Sequence, residues 1–260
     1  MDNNTTYNKE RLELVDSLRG ATIISMVLFH ACWFASYFGL FITWDQIFSN
    51  AFIIWERSIC ISFIFISGFV FSIGKRHLRN GLLITGLGVG ITILSLIFMY
   101  DIRDVFGVLW VLGISSLVLI IPNRYWLDKL LASKILSISL FVLSTVLFVA
   151  TYNINKGYLG AGNMTYYLNR ELYKGSVMTF LGFTDPQFYS VDYFSFIPWF
   201  FMYLMGYFCQ KIIYGSVFYK KVLTIRIPVL NTIGKHSLII YLVHPVVLFA
   251  VLFILQKIMA

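Results

Sequence analysis

Seven apolar runs follow one another along this chain, and no other feature limits its fold so strictly. They cover about residues 17–38, 50–73, 81–100, 105–121, 135–151, 194–213 and 236–257. Each is roughly 17–25 residues long, the length at which a helix rising 1.5 Å per residue crosses ~30 Å of hydrocarbon. Inside lipid every backbone N–H and C=O must find its partner within the protein, which a helix of this length provides by itself. A shorter run, SVMTFLGF at 176–183, cannot span alone and is expected to be interfacial or re-entrant. The expected architecture is therefore all-α: a polytopic integral membrane bundle of about seven transmembrane helices, forming a single domain over 1–260. The first run does not resemble a cleavable signal, because its flank mixes Lys9, Glu10, Arg11, Glu13 and Asp16 and no A-x-A site follows.

Charge supports the same reading. Only 12% of the residues are charged, against about 25% in soluble domains. The net charge of +8 would suit nucleic acid only if it covered one surface. Instead it sits in short loops: GKRHLRN (74–80), NRYWLDKLLASK (123–134) and the 211–235 segment. All three fall on one side of the membrane together with the N-terminal tail, 1–16. The positive-inside rule makes that side cytoplasmic and puts the long 152–193 loop outside. With seven spans the C-terminus also ends outside. Membrane lipid is thus an expected partner and nucleic acid is not.

Three polar features interrupt the apolar runs. In DSLRGATIISMVLFH (16–30), Arg19 and His30 are eleven residues apart, three helical turns, and so share a stripe. Along the helix axis they are separated by ~16 Å. Charge in the bilayer centre costs roughly 2.5–3.5 kcal/mol per residue even on the lenient scale, which turns this stripe toward protein. Asp16 and Arg19 also fit a snorkelling i,i+3 ion pair, and His30 also fits an interhelical hydrogen bond. In AFIIWERSICISF, Glu56 lies at about the depth of His30 on an antiparallel helix, where it would orient the imidazole or else pair with Arg57. In the last run His244 precedes Pro245, which leaves the Tyr241 carbonyl without its helical donor. His236 sits at the interface.

Outside the runs, Asp101, Arg103 and Asp104 are expected to be solvated. Tyr152, Tyr158, Tyr166, Tyr167, Tyr173 and Tyr189, with Asp185 and Asp192, suit either a sugar or a headgroup-level aromatic belt. Trp199 in PWFF fits an interfacial anchor or a substrate contact. Cys32, Cys60 and Cys209 lie in apolar runs, form no C-x-x-C pair, and are expected to be inert buried thiols.

DSLRG followed by a histidine in the first span resembles the transmembrane acyltransferases. The resemblance is closest to bacterial membrane proteins carrying the catalytic region of heparan-α-glucosaminide N-acetyltransferase. FIFISG (63–68), FGVLWVLGISSL (106–117), DYFSFIPWFFMYLMG (192–206) and IGKHSLIIYLVHP (233–245) agree in order, so the similarity covers nearly the whole chain. Arg-x10-His is also similar to the acyltransferase-three family, which O-acetylates surface glycans. Two departures stand out. The lysosomal members of the family have asparagine where this chain has His30, and their proposed active histidine comes later, whereas residues 31–76 here contain no histidine. Trp110 also occupies a position where relatives often have His or Gln.

The resemblance implies an enzyme of the bacterial inner membrane, N-terminus cytoplasmic, that moves an acetyl group from acetyl-CoA to a glycan-type acceptor at the external face. It implies no metal, and it leaves a homo-oligomer open. On that reading Asp16 and Arg19 bind the CoA end, with the Arg19–His30 distance comparable to a pantetheine arm. His30, Glu56 and His244 are the catalytic candidates, and Arg57, Asp192 and Trp199 contact the acceptor. The rivals are a small-molecule permease using the same buried stripe and a catalytically silent membrane protein.

Overall fold

The computed structural model describes residues 12–131 and 133–259. The flank at Lys9, Glu10 and Arg11 lies outside them. Seven helices among the described residues are long and apolar enough to cross a bilayer. They are span 1 (Glu13–Tyr37), span 2 (Asn50–Phe71), span 3 (His77–Phe98), span 4 (Val108–Leu127), span 5 (Lys134–Lys156), span 6 (Phe196–Ile213) and span 7 (Ser237–Met259). All seven expected runs are therefore helices, and the fold is an all-α polytopic bundle. Large apolar side chains remain uncovered along several of them: Ile97 and Phe98 on span 3, Ile135 and Val146 on span 5, Val251 and Ile258 on span 7.

The chain divides into two compact units, residues 1–63 with 213–260, and residues 64–212. In the first unit, spans 1 and 7 run parallel. His30 meets His244, Phe34 stacks edge-on to Phe249, and Phe38 reaches both Phe253 and, through its carbonyl, Gln256 Nε2 at 3.0 Å. Partner numbers rise together, as first and last members of an odd set of alternating spans require. A helix at Pro228–Lys235, inside what the sequence presented as a loop, packs antiparallel on the start of span 1. Its signal was proline at the first helical position. Here Gly20 and Gly234 let two backbones touch. A Cβ on Gly20 would lie 1.9 Å from the Leu230 carbonyl oxygen, and one on Gly234 would lie 1.8 Å from that of Asp16. Polar bonds fasten the same crossing: Asn231 Nδ2 to the Glu13 carbonyl (2.9 Å), Ile227 N to Ser17 Oγ (3.3 Å) and Lys235 Nζ to the Glu13 carboxylate (3.4 Å). Without water or a hydrophobic drive between helices, close backbone approach and such bonds are what association rests on.

In the second unit, spans 3 and 4 form an antiparallel helical hairpin. Gly81 faces Leu117, Gly113 faces Thr85, and Gly88 faces Trp110. Gly68 and Gly206 similarly bring the end of span 2 against span 6. Ser72 donates to Gln210 at 2.6 Å, and Tyr207 to Asn123 at 2.6 Å. The 152–193 segment is ordered rather than open loop. Strands Tyr158–Ala161 and Met164–Tyr167 pair antiparallel, Tyr158 opposite Tyr167, around a Gly162–Asn163 turn. That dipeptide between apolar residues was the legible hairpin signal. The SVMTFLGF run supplies a short helix, Ser176–Leu181. Tyr173 ties the segment down by donating to the Ile154 carbonyl at 2.6 Å. Cys32, Cys60 and Cys209 are half-buried and in no disulfide.

Candidate functional site

The residues that come together are two histidines. His30, on the third turn past Arg19, meets His244 of span 7 with ring centroids 4.8 Å apart and planes inclined by 27°. His30 Nδ1 lies 2.7 Å from His244 Nε2. His244 is buried, and its Nδ1 lies 2.7 Å from the Tyr241 carbonyl oxygen and 3.2 Å from that of Ile240. A carbonyl only accepts, so His244 Nδ1 carries the proton. In a neutral pair its Nε2 is then a lone pair, and His30 Nδ1 donates to it. His30 in turn keeps its proton on Nδ1 and presents an unprotonated Nε2. In the neutral pair, partner geometry therefore assigns both tautomers.

Why the Tyr241 carbonyl is open follows from the chain. Its helical donor would be the amide of residue 245, and Pro245 has none. Span 7 nevertheless continues as one helix from Ser237 to Met259. In an apolar interior an abandoned carbonyl is costly, and His244 supplies a donor to it.

Arg19 and Asp16 lie toward the start of span 1, next to the Gly20–Gly234 crossing. Arg19 Nη1 is 3.3 Å from Asp16 Oδ1, and both side chains are largely buried. The pair is thus embedded in the first unit rather than waving at a surface. Span 1 is unbroken from Glu13 to Tyr37, so Arg19 and His30 are held ~16 Å apart along one axis.

Glu56 and Arg57 keep to themselves. Their side chains approach to 3.9 Å and are more than one-third exposed. Among the described residues Glu56 forms no hydrogen bond to His30. The imidazole's partner is a second imidazole, not a carboxylate. Span 2 reaches span 1 through Trp55, whose indole N–H donates to Ser25 Oγ at 2.8 Å, and through Phe52, which packs on Phe29.

The remaining candidates lie in the second unit. Trp199 is buried among Phe148, Tyr152 and Phe194, so its indole has rings on several sides and serves as core. Trp110 donates its indole N–H to Thr92 Oγ1 at 3.1 Å and packs on Phe106. Asp192 sits where residues 103–106 and 190–194 are laced together: Val191 N to the Arg103 carbonyl (3.1 Å), Val105 N to Ser190 Oγ (2.9 Å) and Phe194 N to the Phe106 carbonyl (3.0 Å).

This lacing overturns one expectation. Asp104 is not a solvated loop residue. Its Oδ1 is sealed from solvent and has no hydrogen-bond partner among the described residues, in the space left by the missing side chain of Gly107. Burial first, and the Asp192 carboxylate second, push its carboxyl well above the usual carboxylate range. Arg103 turns away to the rings of Tyr100 and Tyr189. Sequence gave no sign of this, because the burial comes from a segment nearly ninety positions later.

No curated protein and no solved structure matches this chain. The family described as heparan-alpha-glucosaminide N-acetyltransferase, catalytic, matches it over residues 11–246. That match takes in Asp16, Arg19, His30, His244 and Pro245 and most of the chain, and the chain therefore belongs to the heparan-alpha-glucosaminide N-acetyltransferase catalytic family.

Proposed function

We propose that this protein is an integral membrane acetyltransferase that takes an acetyl group from cytoplasmic acetyl-CoA and passes it to a hydroxyl or amine of a glycan-type acceptor at the external face. The observation that carries the reading is the 2.7 Å contact between His30 Nδ1 and His244 Nε2, itself anchored on the Tyr241 carbonyl.

The chemistry follows from the tautomers. His30 Nε2 takes the proton of the acceptor O–H or N–H as the acceptor atom attacks the thioester carbonyl. The new C–O or C–N bond forms, the C–S bond breaks, and the CoA thiolate recovers the proton from His30 Nε2. While His30 holds the extra proton, its Nδ1–H donates to His244, and His244 donates to Tyr241. The positive charge is thereby shared along a fixed line of acceptors. This is the general arrangement of a base oriented by a second group and that group by a third. Arg19, three turns toward the cytoplasmic end, has the planar fork that suits a phosphate oxygen pair, with Asp16 holding its guanidinium in place.

The cytoplasmic position of the N-terminus rests on loop charge. Impermeant thiol labelling in a cysteine-free background tests it. Asn163→Cys, at the exposed hairpin turn, should label from outside, and Lys75→Cys should not. The decisive experiment incubates the purified protein with radiolabelled acetyl-CoA and a pooled envelope glycan extract. Label in the glycan is the expected result. Uptake of a solute into proteoliposomes with no transfer of label would instead support the permease.

A further inference from the structure

Pro245 interrupts the hydrogen-bond ladder of span 7 one residue after the histidine that contacts His30, and the helix does not break there. Four residues earlier is Tyr241, whose carbonyl would normally accept from the amide of residue 245. That carbonyl instead lies 2.7 Å from His244 Nδ1, closer than the neighbouring Ile240 carbonyl at 3.2 Å. Tyr241 and His244 are both buried, so the arrangement is shielded from exchange with water. An imidazole three residues along a helix is well placed to serve a carbonyl left open, and a proline at the next position is what leaves it open.

We propose that Pro245 is a positioning residue of the acyl-transfer site. By withholding the amide N–H that would otherwise occupy the Tyr241 carbonyl, it reserves that carbonyl for His244 Nδ1 and so fixes which nitrogen His244 turns to His30. Its role is a missing donor rather than a ring. With an ordinary residue at 245, the carbonyl would be drawn into the helical ladder and would hold the imidazole N–H less firmly. His244 would then exchange tautomers, and the Nε2–H form would present a proton, not a lone pair, to His30 Nδ1. The base would lose its orientation while the substrates still bound. The proposal rests on the acyl-transfer reading above for its consequence, but not for the tautomer itself.

The test separates the two. ¹⁵N-histidine NMR of the full-length protein in lipid nanodiscs reports the His244 tautomer at rest, without turnover. Pro245→Ala should fold, since alanine suits a helix interior better than proline. It should shift His244 from the Nδ1–H form to a mixture. It should also lower kcat about tenfold, the scale of one weakened hydrogen bond, with KM for donor and acceptor unchanged. A second variant carries the α-hydroxy acid counterpart of alanine at 245, introduced by nonsense suppression, which lacks both the ring and the N–H. It should keep the tautomer and the kcat of the parent. An unchanged tautomer in Pro245→Ala overturns the proposal. So does a hydroxy-acid variant that behaves like Pro245→Ala, because the ring would then be what matters. A tautomer that responds as expected in a protein that transfers no acetyl group overturns the functional reading and leaves the proline's hold on His244 intact.

Discussion

His30 Nδ1 and His244 Nε2 lie 2.7 Å apart although 214 positions separate them in the chain. The contact joins the first and last membrane spans, which run side by side in the same direction. A histidine pair has only one use for such a distance: one nitrogen gives a proton and the other receives it. The Tyr241 carbonyl decides which, and in the neutral pair it leaves His30 Nε2 unprotonated.

The proposed role of His30 as general base gives the first prediction. His30→Ala should abolish acetyl transfer and leave CoA binding nearly intact, since Arg19 is three turns away. His30→Asn is the sharper variant, because it keeps a polar side chain of similar reach but cannot act as a base. General-base losses are ~10²–10⁴-fold. Single-turnover transfer from labelled acetyl-CoA measures the loss, and full activity of the Asn variant would remove His30 from the mechanism.

Arg19 is expected to act at the donor end. Arg19→Lys should weaken CoA binding, because a point charge replaces a two-pronged donor, with kcat at saturating donor little changed. Asp16→Asn should weaken it less, by loosening the guanidinium now 3.3 Å from the carboxylate. Calorimetric titration with CoA is the measurement. Equal affinity in Arg19→Lys and parent would leave the residue as an internal ion pair only.

A packing prediction concerns Gly234. Adding a Cβ there puts it 1.8 Å from the Asp16 carbonyl oxygen, a backbone atom with no free torsion to move it aside. Gly234→Ala should therefore destabilise the first unit by at least the ~1–3 kcal/mol of ordinary overpacking. It should also raise the Km for acetyl-CoA, because the displaced backbone carries Asp16. Thermal unfolding in detergent and donor titration check the two halves, and a variant as stable as the parent would show that the crossing has slack.

Asp104 carries the pH prediction. Its folded carboxyl titrates well above the usual range because of burial and then Asp192, whereas the unfolded residue titrates near ~3.9. A raised folded value means the folded state holds the proton more tightly. The associated stability is complete below the unfolded value and is lost as pH rises through the folded one. Asp104→Asn keeps the shape and stays neutral, so it should flatten that decline and match or exceed the parent at high pH. Melting temperatures across about pH 4–9 measure it. A decline of the same slope in Asp104→Asn would assign it to another group.

How much of this was legible beforehand depends on the range of the physics involved. The seven spans could be read because the requirement that lipid imposes is local: a run long enough, apolar enough and internally hydrogen-bonded is a helix whatever its neighbours. For the same reason the ~16 Å spacing of Arg19 and His30 and the carbonyl opened by Pro245 were visible in the sequence, since both are properties of a single helix. The Pro228–Lys235 helix and the Tyr158–Tyr167 hairpin also had local signals, in Pro228 and in Gly162–Asn163, short enough to be lost between long runs. What only the tertiary structure decided is which of several buried polar residues meet. The sequence put Glu56 at the depth of His30 and left His244 as a separate candidate, because depth in a membrane is written in the sequence and rotation about a helix axis relative to a distant helix is not. The choice fell to His244 through the parallel packing of spans 1 and 7. The same holds for Asp104, whose burial depends on a strand of chain around Asp192 folding across it. Such long-range pairings leave no periodicity in either segment, so they exist only once the chain has closed on itself.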